Sequence, residues 1–227
     1  MLIVENLFLL FTRDNGRVNV GIPNQDKALN AGLFSDLVLA GVVTVDQSNH
    51  FRESLIRVLE SAPVANVDPE LIVAGYKALC ENPGATVESL LHASWFVTRN
   101  QIARSLANQG VVTIGRDKFF GIELEKYPTI DRRPEEELRE RLASMLRGEE
   151  ASTVQEALTL VLLAEVGNIK LELREQLSGV SVLDIKTRVR ELAEEHLTPV
   201  DERTIKAVRR AVDSMVSVLS GSALFMS

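Results

Sequence analysis

Apolar positions along this chain fall mostly at helical spacing, interrupted by short alternating runs. Ile3, Leu7, Leu10 and Phe11, with Val4 and Phe8 beside them, predict an amphipathic first helix. Asp14-Asn15-Gly16-Arg17 is a turn signal, and Val18 and Val20 then alternate as a short strand. Leu29, Leu33, Leu37 and Ala40 predict a second helix ended by Gly41. Val42, Val43 and Val45 read as a strand. Phe51–Leu59 suits a helix or a returning strand, and its first half is read as strand. Asp68-Pro69-Glu70 starts a helix that runs to about Cys80, where Glu81-Asn82-Pro83-Gly84 breaks it. Thr86 with Ser89 opens another helix, through Trp95.

Between Thr98 and Glu123 the apolar spacing changes from helical (Ile102, Leu106) to extended (Val111, Val112). This predicts a helix stopped by Gly110 and a hairpin turning at Gly115-Arg116-Asp117-Lys118. Pro134 with Glu135, Glu136 and Glu137 starts a further helix, with Glu135–Arg139 and Glu137–Arg141 at i,i+4 spacing. That acidic run reads as a solvated helix start, not a metal site. Val154, Leu158 and Val161 form one later stripe, and Ile185, Val189, Leu192 and His196 another. Ile205, Val208, Val212, Met215 and Leu219 form the last. With no internal repeat and no long linker, residues 1–227 are expected to form a single domain, mainly α, with one or two small β-hairpins.

Composition narrows the function. The chain is 45% hydrophobic, 25% charged and 5% aromatic, with a formal charge of −7. That acidic balance speaks against general coating of nucleic acid. The segment from Ser89 to Lys118 departs from it: four basic residues (Arg99, Arg104, Arg116, Lys118) stand against one acid, Asp117. A local positive surface on a negative protein is a place for an anion to dock. On an ideal helix Arg99 and Arg104 are turned about 140° apart, so Arg99 is expected to cluster with Arg116 or Lys118 across the hairpin. No apolar run reaches the ~18 residues of a membrane helix. The opening apolar run lacks a basic leader and carries Glu5, so a cytoplasmic protein is expected.

Catalytic motifs are sparse. His50, His92 and His196 are scattered, with no paired spacing for a metal, and there is no nucleophile elbow, P-loop or dinucleotide fingerprint. Cys80, the only cysteine, sits on an apolar helix and is expected to be buried and inert. No catalytic residue, metal or cofactor is assigned, and a non-enzymatic role is expected. Two readings of the basic segment stay open: a lipid-headgroup surface with a membrane-touching hairpin, and a winged helix on nucleic-acid phosphates.

Several stretches, taken in order, resemble the Golgi phosphoprotein 3 family: Leu7–Val20 its opening helix and Gly-Arg turn, and Ala28–Asp46 its second helix and strand. Ala103–Asp131 is similar to its helix, hairpin and Pro-containing exit, and Arg132–Ile169 to its next helix pair. The resemblance implies a mostly helical peripheral-membrane domain that binds phosphatidylinositol 4-phosphate and uses the hairpin for insertion or self-association. It implies a headgroup pocket of a Trp, an Arg on the second helix and two basic residues three apart. Those positions hold Gly21, Asn30, Phe96 and Arg99 here, so only Arg99 matches. Binding of anionic phospholipid through Arg99, Arg104, Arg116 and Lys118 is therefore expected, with Phe119 and Phe120 as the membrane or oligomer hairpin. A homo-oligomer and a client protein are further partners. The alternative is a fold that has lost its lipid site and serves as a scaffold.

Overall fold

The structure, a computed structural model, describes residues 1–20, 22, 24–46, 54–59, 70–119, 122–166, 169–197 and 215–216, with the backbone alone at 119, 122, 171 and 197. Helix α1 (Ile3–Phe11) is buried along its whole length, Glu5 and Asn6 included, and is not the amphipathic helix its spacing suggested. Its seven apolar side chains are each at most 1% exposed, and burying one such group stabilises by roughly 1.5–3 kcal/mol. Helix α2 (Gln25–Leu39) crosses it closely, because a Cβ on Gly32 would lie 3.0 Å from the Val4 Cα. A helix start buried in this way needs acceptors for its free amides. Asp36 supplies them: its Oδ1 accepts from the Ile3 amide at 2.9 Å and its Oδ2 from Val4 at 3.0 Å. Glu5 accepts from the Leu2 amide, Ser105 Oγ and Gln109 Nε2.

Strands β1 (Val43–Asp46) and β2 (Leu55–Val58) pair antiparallel, Val43 opposite Val58. The strand thus occupies the second half of Phe51–Leu59, while Phe51–Glu53 lie outside the described residues. Helix α3 (Glu70–Glu81) buries Leu71, Ile72, Gly75 and Leu79, but Cys80 is exposed, contrary to expectation. One residue along a helix is a turn of about 100°, enough to carry Cys80 off the buried face. Helix α4 (Val87–Leu91) is far shorter than a helix through Trp95. Asn30, from α2, occupies the carbonyls that would have continued it: Nδ2 donates to Leu90, Leu91 and Ala93 at 3.0, 3.2 and 2.9 Å.

Helix α5 (Arg99–Asn108) opens on a Thr98/Gln101 capping box, and Gly110 follows it at φ +76°. Val111 and Val112 are buried in the connection rather than in a strand. Strand β3 (Gly115–Phe119) pairs with β4 (Ile122–Lys126) from Gly115–Lys126 to Phe119–Ile122. Gly115–Lys118 is therefore strand, not turn; the two-residue connection at 120–121 lies outside the described residues. Val18 and Val20 form no strand beyond a bridge between Thr12 and Val18. The turn before them is pinned instead: Gly16, at φ +80°, sits under the hairpin exit, accepts from the Tyr127 amide at 2.9 Å, and has no room for a Cβ.

Helix α6 (Arg133–Arg147) carries Pro134 in its first turn and ends at Gly148 with φ +76°. Helix α7 (Val154–Glu165) is capped by Thr153 and packs on α1 and α2. The short α8 (Ile169–Glu172) leads to α9 (Val182–Leu197), which lies against α7. The acidic start of α6 is only partly solvated. Glu135 is buried and pairs with Arg139 at 2.8 Å, whereas Arg141 pairs with Glu150 and Glu156 and not with Glu137. Of the last predicted stripe only Met215 is described, and it is buried. Among the described residues no helix is long and apolar enough to cross a membrane.

Candidate functional site

Arg99 is the first residue of α5, and its guanidinium reaches back to the first turn of α2. Nε donates to Asp26 Oδ1 at 3.0 Å and Nη2 to Gln25 Oε1 at 2.9 Å. Gln25 is itself fixed, its Nε2 donating to the carbonyls of Asn19 and Ile22. The third nitrogen, Nη1, is buried and finds no acceptor among the described residues. The pair is lopsided, the Arg99 side chain 18% exposed and that of Asp26 83%. Around them the first turn of α5 contains no acid, so its positive end is uncompensated there. Trp95 is 41% exposed in the preceding loop, steadied by an edge-on contact with the buried Phe96 at 5.9 Å.

Arg104 and Arg116 act on acids of the hairpin. Arg116 pairs with Glu123 at 3.3 Å across the hairpin. Arg104 and Arg116 are the cations whose charge acts on Glu125, in β4. Glu125 also accepts from Tyr127 Oη at 2.7 Å and from Asn100 Nδ2 at 3.0 Å, and these bonds hold its carboxyl below the usual carboxylate range. Burial, and then Glu125, push the Tyr127 hydroxyl up to about 12. Lys118 is exposed on the same face of β3 as Arg116. Asp117 turns to the other face, where the hydrogen bond from Arg17 at 2.6 Å keeps its carboxyl low. The surface is thus basic with acids set into it. Among the described residues no group of three or more His, Cys, Asp or Glu can hold a metal ion.

The sequence match decides the kinship. The Golgi phosphoprotein 3 family model covers residues 3–215. The chain belongs to the Golgi phosphoprotein 3 family. A search of curated proteins finds no match to it. Of the four pocket positions that the family resemblance implies, Gly21 lies outside the described residues. Asn30 is the buried clamp on the end of α4, and Phe96 is 2% exposed in the core. Arg99 keeps its cation but already holds a carboxylate. The side chains of Phe119 and Phe120 lie outside the described residues. Sequence reasoning missed Asp26 and Gln25 as partners of Arg99, because nothing local links positions 73 residues apart. It missed Glu123 and Glu125 because the hairpin was assigned the wrong turn. The paired alternation of Arg116 and Lys118 with Glu123 and Glu125 was the available signal.

Proposed function

We propose that this family member is a non-enzymatic peripheral-membrane protein that docks on anionic phospholipid, a phosphoinositide by family expectation. The docking surface is the start of α5 with the β3–β4 hairpin: Arg99, with Trp95 in the loop before it, and Arg104, Arg116 and Lys118 as the further cations. The observation that carries this reading is the unmatched hydrogen-bonding capacity of Arg99, whose Nη1 has no acceptor among the described residues and whose carboxylate partner is almost fully exposed. An exposed ion pair is worth about 0–1 kcal/mol, whereas each charge-assisted bond from Arg to phosphate contributes roughly 1.5–3 kcal/mol. Phosphate displacing Asp26 is the favourable exchange on those magnitudes. Trp95 offers an amphipathic ring of the kind that settles at headgroup depth, in place of the family Trp absent at Gly21.

A second reading has its own support: Asn30 and Phe96 are committed to the fold, as expected of a scaffold that has lost its pocket. Co-sedimentation separates the two. With vesicles containing phosphatidylinositol 4-phosphate, phosphatidylserine or phosphatidylcholine alone, the lipid reading expects pelleting in that descending order. Equal, negligible pelleting in all three overturns it in favour of the scaffold.

A further inference from the structure

We infer that Gln25 is the positioning residue of the docking surface, holding the Arg99 guanidinium for a lipid phosphate without neutralising it; this role presupposes the docking reading. Gln25 is the first residue of α2 and is only 6% exposed. Asn24, just before it, has φ +54°, the one positive value among the described non-glycine residues. Asn enters that region more readily than most side chains. The Gln25 side chain turns back to the chain that precedes the helix, and its amide has no freedom of sense. Nε2 carries two hydrogens, and both are used, one on the Asn19 carbonyl and one on the Ile22 carbonyl at 2.9 Å. Turned over, the amide would set its oxygen against two carbonyl oxygens and leave them unmatched in a buried place. Oε1 is therefore committed to the other side, where it accepts from Arg99 Nη2 at 2.9 Å.

Two acceptors thus hold one guanidinium, and they differ in kind. Asp26 is charged and its side chain is 83% exposed, so its ion pair with Arg99 is weak and open to an arriving phosphate. Gln25 is neutral and buried, fastened by two further bonds. It stays on Arg99 when Asp26 is displaced, and it leaves intact the charge that draws the anion. Without it, an Arg99 released by Asp26 would regain its rotamer freedom. Ordering that side chain again on binding would weaken affinity by roughly threefold to tenfold. The two carbonyl bonds alone would fasten the start of α2. The third bond, to a cation at the start of α5, is what makes Gln25 part of the site.

Asp26→Ala provides the background for the test, because the carboxylate is already gone and every variant compared carries the same charge. Two properties of the full chain are measured in Asp26→Ala and in Asp26→Ala/Gln25→Met. One is the relaxation of the Arg99 Nε–Hε resonance in the free protein. The other is affinity for phosphatidylcholine vesicles containing phosphatidylinositol 4-phosphate. The resonance is expected to be rigid in the single variant and mobile in the double variant, with affinity about threefold to tenfold lower in the latter. A lower urea midpoint with both properties unchanged makes Gln25 a residue of the fold alone and overturns the inference. A change in one property without the other overturns it as well. If Asp26→Ala pellets with no anionic vesicle, the docking reading falls, and the role of Gln25 falls with it. If it pellets equally with and without Gln25, the role of Gln25 alone falls. Should the double variant fail to fold, Asp26→Ala/Gln25→Asn, whose amide is one methylene short of Arg99, takes its place with the same expected outcomes.

Discussion

Arg99 Nε and Asp26 Oδ1 sit 3.0 Å apart, so the cation expected to meet a lipid phosphate already holds a carboxylate. Asp26 is then a competitor in cis. Removing it with Asp26→Ala is expected to raise pelleting with phosphatidylinositol 4-phosphate vesicles by up to about fivefold, the span of an exposed pair worth 0–1 kcal/mol. Arg99→Glu is expected to bring pelleting down to the level of neutral vesicles. If Asp26→Ala lowers pelleting instead, Asp26 positions Arg99 rather than occupying it.

Asn30 stands where family resemblance implies a lipid-binding Arg, but its amide is spent on three carbonyls at the end of α4. Asn30→Ala leaves buried acceptors unmatched and is expected to lower stability by about 1–3 kcal/mol. The urea midpoint measures this at constant slope. A midpoint within error of the wild type would mean that water replaces the clamp.

Asp36 gives stability a pH dependence of unusual sign for a carboxylate. Burial pushes its carboxyl up to about 7, despite the two α1 amides that favour its charge. Between the unfolded value of about 4 and 7, the folded state binds more protons than the unfolded state, so this group's contribution falls as pH rises through that window. Stability from Asp36 is full below about pH 4 and lost by about pH 7. Asp36→Asn keeps one acceptor and no titration. The stability difference between wild type and variant, from urea midpoints at pH 4.5, 6 and 7.5, is expected to move against the wild type as pH rises. A pH-independent difference would contradict the shift.

Gly16 is required twice, by its φ of +80° and by space, since an added Cβ would lie 2.3 Å from Pro128 N and 2.4 Å from Tyr127 backbone atoms. Gly16→Ala is expected to cost at least about 2 kcal/mol. It should also loosen the hairpin exit, read as faster amide exchange at Tyr127, whose N–H bonds to the Gly16 carbonyl. Gly41→Ala makes the control. Gly41 has φ +69° but no atom of the described residues within 4 Å of its Cβ position, so backbone strain alone should appear there.

Much of the helical order was legible because helices announce themselves locally. Starts and stops came from Thr86, Pro134, Gly41 and Gly110, all readable within a few residues. What failed was set by distant partners. Helix α4 ends early because of a side chain 60 residues away, and α1 is buried on every face because α2, α5, α6 and α7 all pack against it. The hairpin turn was misplaced because Gly115 carries a turn signal, while strand register depends on pairing with Lys126. At the docking surface the cations were legible and their acids were not. Charge along the chain reveals a patch, but Asp26 and Glu125 enter it only once the chain has folded.

The total burial of α1 also bears on how the protein is made. Asp36 and α2 follow α1 closely in the chain, but α5, α6 and α7 are synthesised only with residues 99–165. At roughly 5–20 residues per second, that interval is on the order of ten seconds. Throughout it, Phe8, Phe11 and their apolar neighbours lack the cover that α5, α6 and α7 give them in the fold. The cover of α1 is complete only when α7 packs against it, with the Gly16 turn lying beneath Pro128.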